Sequence, residues 1–300
     1  MLNLSGGTRT LAAMTSAKGV HRPLTLATPH AKGADVRALQ SSIKKGFEHY
    51  KIDWLPLAVD GELGPQTLHA ARFYSWVLGL GSGHRVPIQK RHTITEATQR
   101  LLRSPEHRSA IERTRAKRRQ PRLAKIRKAQ SEGPAAAVAY ARSFIGTTES
   151  PAGSNTGPTV QNDKGQPGGV SFWEAYWGLG ACYWCLCFAS YCAKAIGGAR
   201  ISGNCTYSVA IEGYARNHEN GWVQVPVSEA RPGDISIWKF DGPSAPSDHG
   251  ELVVENGVAE DVGGNTSSDN SGSQSNGGGV FAKHRDLSQL SMVARPLYSP

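Results

Sequence analysis

Three residue types in chain order could carry covalent hydrolysis. Cys185 stands in Tyr183-Trp184-Cys185-Leu186-Cys187-Phe188, His249 in Ser247-Asp248-His249-Gly250-Glu251-Leu252-Val253-Val254, and Asn265 in Gly264-Asn265-Thr266. A thiolate attacks an acyl carbon well and a thiol does not, so chemistry at Cys185 needs something that lowers the thiol pKa. A helix N-terminus and a neighbouring imidazolium both do so. His249 would take a proton as base and return it to the leaving amine, while a third polar group holds its ring in one tautomer. Asn265 is the candidate for that third role. The ordered set, rather than any one residue, carries the reading.

The surrounding sequence shows what must position these groups. Phe188, Ala189 and Cys192 share a helical face with Cys185, so this stretch can lie on a sheet while its first turn meets solvent. Gly233–Trp238 and Ser247–Val254 look like adjacent strands joined by a Pro/Gly/Ser loop. Strands are expected at about 234–240, 249–255, 258–263, 279–284 and 291–297, with a helix from Pro134 to Ile145 that ends at Gly146. The class is α+β. Thr266–Gly279 is a Ser/Asn/Gly loop suited to the rim of a cleft. Cys187, Cys192 and Cys205 are expected to be buried structural residues. Cys182-Tyr183-Trp184-Cys185 also has the spacing of a redox dithiol or half a zinc site. A zinc site would want a second ligand pair, and the other cysteines are scattered; a thioredoxin-like motif would sit near a βαβ unit, and none is visible.

On these motifs, residues 135–300 resemble a CHAP domain, the papain-like cysteine amidase/peptidase module of phage endolysins and bacterial cell-wall hydrolases. The resemblance includes Gly146–Asn155 upstream and Asn276–Val280 near the end. It implies helices packed on an antiparallel sheet, with Cys185 as nucleophile, His249 as base and then acid, and Asn265 as orienter. The backbone N–H of Cys185 would supply one oxyanion donor. Trp184, Asn155 and Asp248 are expected to contact substrate. Many members carry a Glu two residues before the Asn; here that position is Gly263, which leaves Asn265 alone or Asp261 as a substitute. The acidic calcium loop that some members place before the cysteine is absent, since residues 177–181 hold no carboxylate. No metal and no cofactor are expected.

Residues 24–83 form a second unit. Asp35 can cap a helix whose apolar face is Val36, Leu39 and Ile43. Asp60-Gly61 is a turn, and Gly64-Pro65 starts another helix with Pro where the missing N–H costs nothing. This is similar to the small three-helix peptidoglycan-binding domain, with a longer loop at 49–56.

Residues 84–133 are expected to be a basic helical linker. Residues 84–130 carry 15 Lys and Arg against three Glu, a net +12, so the whole excess of the chain's +10 resides there. Pro105 and Pro121 are expected to divide it into short helices, and its apolar residues look too few for a core. Such a segment suits a solvated spacer or a tether to anionic wall polymers. It lacks interleaved aromatics and any recognisable nucleic-acid module, so no nucleic-acid partner is expected. The five cysteines are odd in number and argue against a disulfide framework. No membrane-spanning stretch and no secretory signal are visible, so the expected setting is the host cytoplasm before lysis, then the cell wall, with release through a separate holin. The expectation is a monomeric phage endolysin acting on peptidoglycan, with the N-acetylmuramoyl-L-alanine amide favoured. A stem-peptide or cross-bridge endopeptidase, a tail-associated wall protein and a bacterial remodelling enzyme are the alternatives.

Overall fold

The computed structural model describes residues 22–27, 30–81, 93–149, 152–155, 172–269 and 272–298. The C-terminal half is built on a six-stranded antiparallel sheet in the order β3-β8-β4-β5-β6-β7. Its strands are β3 (Trp222–Val225), β4 (Ile235–Trp238), β5 (His249–Val253), β6 (Asp261–Thr266), β7 (Gly279–Lys283) and β8 (Leu290–Pro296). The mixed helix and antiparallel-sheet class expected from the sequence is present. β3 was not among the expected strands, and residues 256–258 form a 3-10 turn where a strand had been expected to begin.

Strand alternation sends the side chains to two separate cores. Ile235, Ile237, Leu252, Val262, Met292 and Ala294 pack with helix α6 (Cys185–Tyr191) and with Trp173 of α5 (Phe172–Tyr176). Val223, Val225, Trp238, Val253 and Val293 face the other way and join a core with the N-terminal helices. Both faces of the sheet are therefore covered.

The N-terminal part contains α1 (Ala34–His49) and α2 (Pro65–Val77), with Val36, Leu39 and Ile43 fully buried. The Asp-Gly turn is held by Gln40: its Nε2 donates to Asp60 Oδ1 at 2.8 Å and its Oε1 accepts from Gly61 N at 2.8 Å. Gly61 adopts φ +81°, which glycine takes without strain. The third helix, α3 (Glu96–Arg103), comes from the segment expected to be linker and packs on α1. A short pair, β1 (Leu24–Thr25) with β2 (Thr93–Ile94), ties it to the start of the unit.

The rest of that segment corrects the expectation of short, solvated helices. Ser109 and Glu112 form a reciprocal capping box, and α4 then runs unbroken from Ala110 to Arg142. Pro121 and Pro134 lie inside it without ending it, and the helix expected at Pro134 is its C-terminal end. A proline in a helix interior costs ~3 kcal/mol, which tertiary packing must offset. Leu123 is buried in the core shared by α1, α2 and the sheet. Arg119 and Arg122 lie over the Trp76 ring, each 5.7 Å from its centroid. Gly133 lets the helix approach closely: a Cβ there would sit 2.3 Å from the Gly197 carbonyl oxygen.

Candidate active site

Cys185 is the first residue of α6, and this helix lies close against β5 and β6. Two glycines permit the approach. A Cβ on Gly250 would meet Leu186 at 2.4 Å, and one on Gly264 would meet the Trp184 ring at 2.6 Å. The start of α6 is thereby set beside the first residue of β5, His249.

His249 is fully buried, and its ring rests at a tilt on Phe240, with centroids 5.5 Å apart. Nε2 lies 3.1 Å from Glu251 Oε1. Nδ1 has no other protein partner and is the nitrogen left to serve Cys185. Burial by itself depresses the imidazole pKa. A thiolate charge at Cys185 and the Glu251 carboxylate more than offset that, holding His249 up at about 9. It is thus an imidazolium at neutral pH, the partner that a thiolate nucleophile needs.

Glu251 is the residue that the sequence reading missed. On a strand, positions 249 and 251 share a face, and here the second carries the carboxylate that orients the first. Burial would push that carboxylate up, but hydrogen bonds and charge from His249 and Arg285 hold it down at about 2. Arg285 grips both oxygens, with Nε 3.1 Å from Oε2 and Nη2 on Oε1. Arg285 itself is braced by Thr266 Oγ1 at 3.0 Å and by stacking over Phe240 at 4.8 Å. A chain of groups therefore runs Cys185–His249–Glu251–Arg285.

Neither expected orienter touches the imidazole. Asn265 is buried in a left-handed conformation at φ +54°; its Nδ2 donates to Ser275 O at 3.4 Å and its backbone carbonyl accepts from Gly277 N at 2.9 Å. It shapes the rim loop. Asp261 accepts from Ser236 Oγ, and burial followed by the neighbouring Glu251 charge pushes it up to about 8, so it is a neutral acid. The glycine at 263 now has a physical reason: a Cβ there would lie 2.1 Å from Glu251 Oε1. The carboxylate from β5 fills the space in which a side chain from β6 would stand.

Of the three expected substrate contacts, one lies in the cleft. A cavity of about 380 Å³ opens beside Cys185 and is lined by Tyr183, Thr206, Tyr207, Ser208, Asp248 and Asn276, among others. Asp248 also accepts backbone N–H bonds from Phe240 and Asp241 at 3.2–3.3 Å, which close the loop between β4 and β5. Trp184 instead is fully buried, stacked on Trp173 at 5.6 Å and donating to Glu149 Oε1 at 2.7 Å. Its role is to seat the start of α6. Asn155 lies outside the cleft lining; its carbonyl accepts from Cys182 N at 2.9 Å. Cys187 and Cys192 are fully buried and Cys205 nearly so, and all five cysteines are free thiols.

Among the described residues, no three or more His, Cys, Asp or Glu converge in a metal-binding arrangement, and no helix is long and apolar enough to cross a membrane. The arrangement has the parts that acyl transfer needs: a sulfur at a helix start, an oriented acid-base group, and a cleft beside them. Compared with family models and with curated protein sequences, the chain matches none.

Proposed function

We propose that this chain is a phage-type endolysin that hydrolyses amide bonds of peptidoglycan through a cysteine nucleophile. The observation that carries the reading is the Cys185–His249–Glu251–Arg285 chain ending at a cleft. Cys185 attacks the amide carbonyl, and His249 gives its proton to the leaving amine. Water, activated by His249, then hydrolyses the thioester. As the first helical residue, Cys185 has no intrahelical acceptor for its backbone N–H, which suits it as an oxyanion donor. Glu251 keeps Nε2 engaged, and Arg285 keeps Glu251 ionised.

Wall recognition falls to the N-terminal helices in this reading. A cavity of about 410 Å³ there, lined by Lys44, Phe47, Lys51 and Leu57 among others, is a place for a wall fragment. The cationic face of α4 adds attraction to anionic polymers.

Purified walls and mass spectrometry of the digest test the proposal. Intact protein should release fragments with a new amino terminus on L-Ala, the mark of an amidase. Cys185→Ala should release none. A new terminus on a stem or bridge residue would make the enzyme an endopeptidase. Equal release by Cys185→Ala would overturn the cysteine mechanism.

A further inference from the structure

Cys182 precedes the nucleophile by three residues, but its sulfur neighbour is Cys187, with Sγ–Sγ 3.8 Å. The two thiols are set differently. Cys187 is wholly buried in the first turn of α6, and its carbonyl accepts from Trp177 Nε1 at 3.1 Å. Cys182 lies outside the helix and is half-buried, with its N–H on Asn155 O. The hydrogen bond between the thiols lowers the Cys182 pKa and, with burial, raises that of Cys187, while Glu174, whose Oε1 lies 3.8 Å from Cys182 Sγ, opposes ionisation of both. Being the more exposed of the two, Cys182 is the attacking sulfur and Cys187 the resolving one.

We propose that Cys182 and Cys187 are a reversible disulfide site bracketing the nucleophile, closed by a mild two-electron oxidant of the diazene or disulfide class. With a diazene, the Cys182 thiolate adds to one nitrogen of the N=N bond, and the other nitrogen takes a proton. The Cys187 sulfur then displaces the substituted hydrazine, forming the S–S bond. Two thiol hydrogens and two electrons end on the hydrazine. A disulfide bond is ~2.05 Å long, so the sulfurs must approach by about 1.8 Å. Cys187 is held within α6 by the core and by Trp177, so the movement falls on Cys182, which lies outside the helix and must draw its Sγ away from Glu174 Oε1. Tyr183, the next residue, lines the cleft. Closure therefore reshapes the cleft mouth while leaving His249 and Glu251 in place. The effect on turnover rests on the hydrolase reading above; the crosslink does not.

The test treats the full chain with diamide, counts free thiols, alkylates, and maps a chymotryptic digest. Cleavage after Tyr183, Trp184 and Leu186 separates Cys182, Cys185 and Cys187. Five free thiols should become three, with residues 182 and 187 linked, and dithiothreitol should restore all five. KM for walls should rise about threefold with a smaller change in kcat, reversibly. Cys182→Ser, at a half-buried position outside the helix, should lose both the link and the KM shift. A link from Cys182 to Cys185, or five thiols persisting under diamide, overturns the site. A linked protein with unchanged KM overturns its effect on the cleft. Lack of wall hydrolysis by untreated protein would overturn the hydrolase reading alone and leave the crosslink result standing.

Discussion

At the scale of single residues, the carboxylate on His249 separates what could be read from what could not. Cys185 and His249 were legible because their types and flanks suffice. The motif order points to Asn265 as the orienter, although Glu251 shares a strand face with His249 two residues away. Arg285 reaches Glu251 across 34 residues of chain, which no local pattern reports. Glu251→Gln should lower kcat about 100-fold, since the neutral amide neither holds the ring as firmly nor stabilises the imidazolium. Asn265→Gly, which keeps the left-handed backbone, should lower it less than about tenfold. A larger loss at Asn265 would restore the original assignment. The pH profile adds a sign. With His249 held up at about 9, activity should persist through neutrality and fall as the pH rises through about 9. In Glu251→Gln the alkaline fall should move to lower pH, as read from kcat/KM against pH.

Asp261 gives a stability signature of its own. Its folded pKa of about 8 stands above the ordinary 3.8, so its contribution is full below about 3.8 and is lost as the pH rises through about 8. Asp261→Asn is neutral at every pH. The Tm of the variant relative to the parent should therefore climb between pH 5 and pH 8, while activity at pH 7 stays near the parent's. A flat difference in Tm would mean that Asp261 is ionised in the folded protein.

At the scale of elements, the α6–sheet contact fixes the distance between thiol and imidazole, and glycines make it possible. Gly264 faces the rigid, buried Trp184 ring, whereas Gly250 faces the end of the Leu186 side chain, which can turn aside. Gly264→Ala should cost ~1–3 kcal/mol and most of the activity, and Gly250→Ala distinctly less. Thermal melts alongside wall-lysis rates would show the order, and the reverse order would mean that α6 yields more readily than Trp184. Strands such as β4 and β5 were legible as short apolar runs bounded by turn residues, since both sheet faces are buried. The four residues of β3 follow directly on an Asn-Gly turn at the end of a helix. In α4, Pro121 looked like a divider and Pro134 like the start of a new helix. Local chemistry favours a break there, but Trp76, Gly197 and Tyr298 hold the helix from outside, and such contacts are invisible in a local window.

At the scale of the whole molecule, the N-terminal helices and the C-terminal sheet are not beads on a string. Leu39, Ile43 and Leu68 share one core with Val223, Val225, Val253 and Val293 of the sheet, and Leu123 of α4 belongs to the same core. His69 of α2 meets His218 at the end of α7 (Ser208–Asn217), with centroids 5.7 Å apart; both are half-buried, and desolvation pushes them down to about 4 and about 3. As neutral rings they add no charge to this junction at neutral pH. A shared core couples the unfolding of its parts, so calorimetry of the full chain should give one transition whose calorimetric and van't Hoff enthalpies agree. A chain beginning at residue 131 would cut α4 in the middle and uncover the valine face of the sheet. It should have a much lower Tm, or aggregate, despite retaining Cys185, His249, Glu251 and Arg285. Two well-separated transitions in the full chain, with the upper one matching the melt of residues 131–300, would show that the sheet is stable without its N-terminal cover. Salt separates this packing from long-range attraction. Raising ionic strength from 0.1 M to 1 M shortens the Debye length from ~10 Å to ~3 Å, which should weaken wall binding through the +12 segment. The single transition, held by apolar burial, should survive.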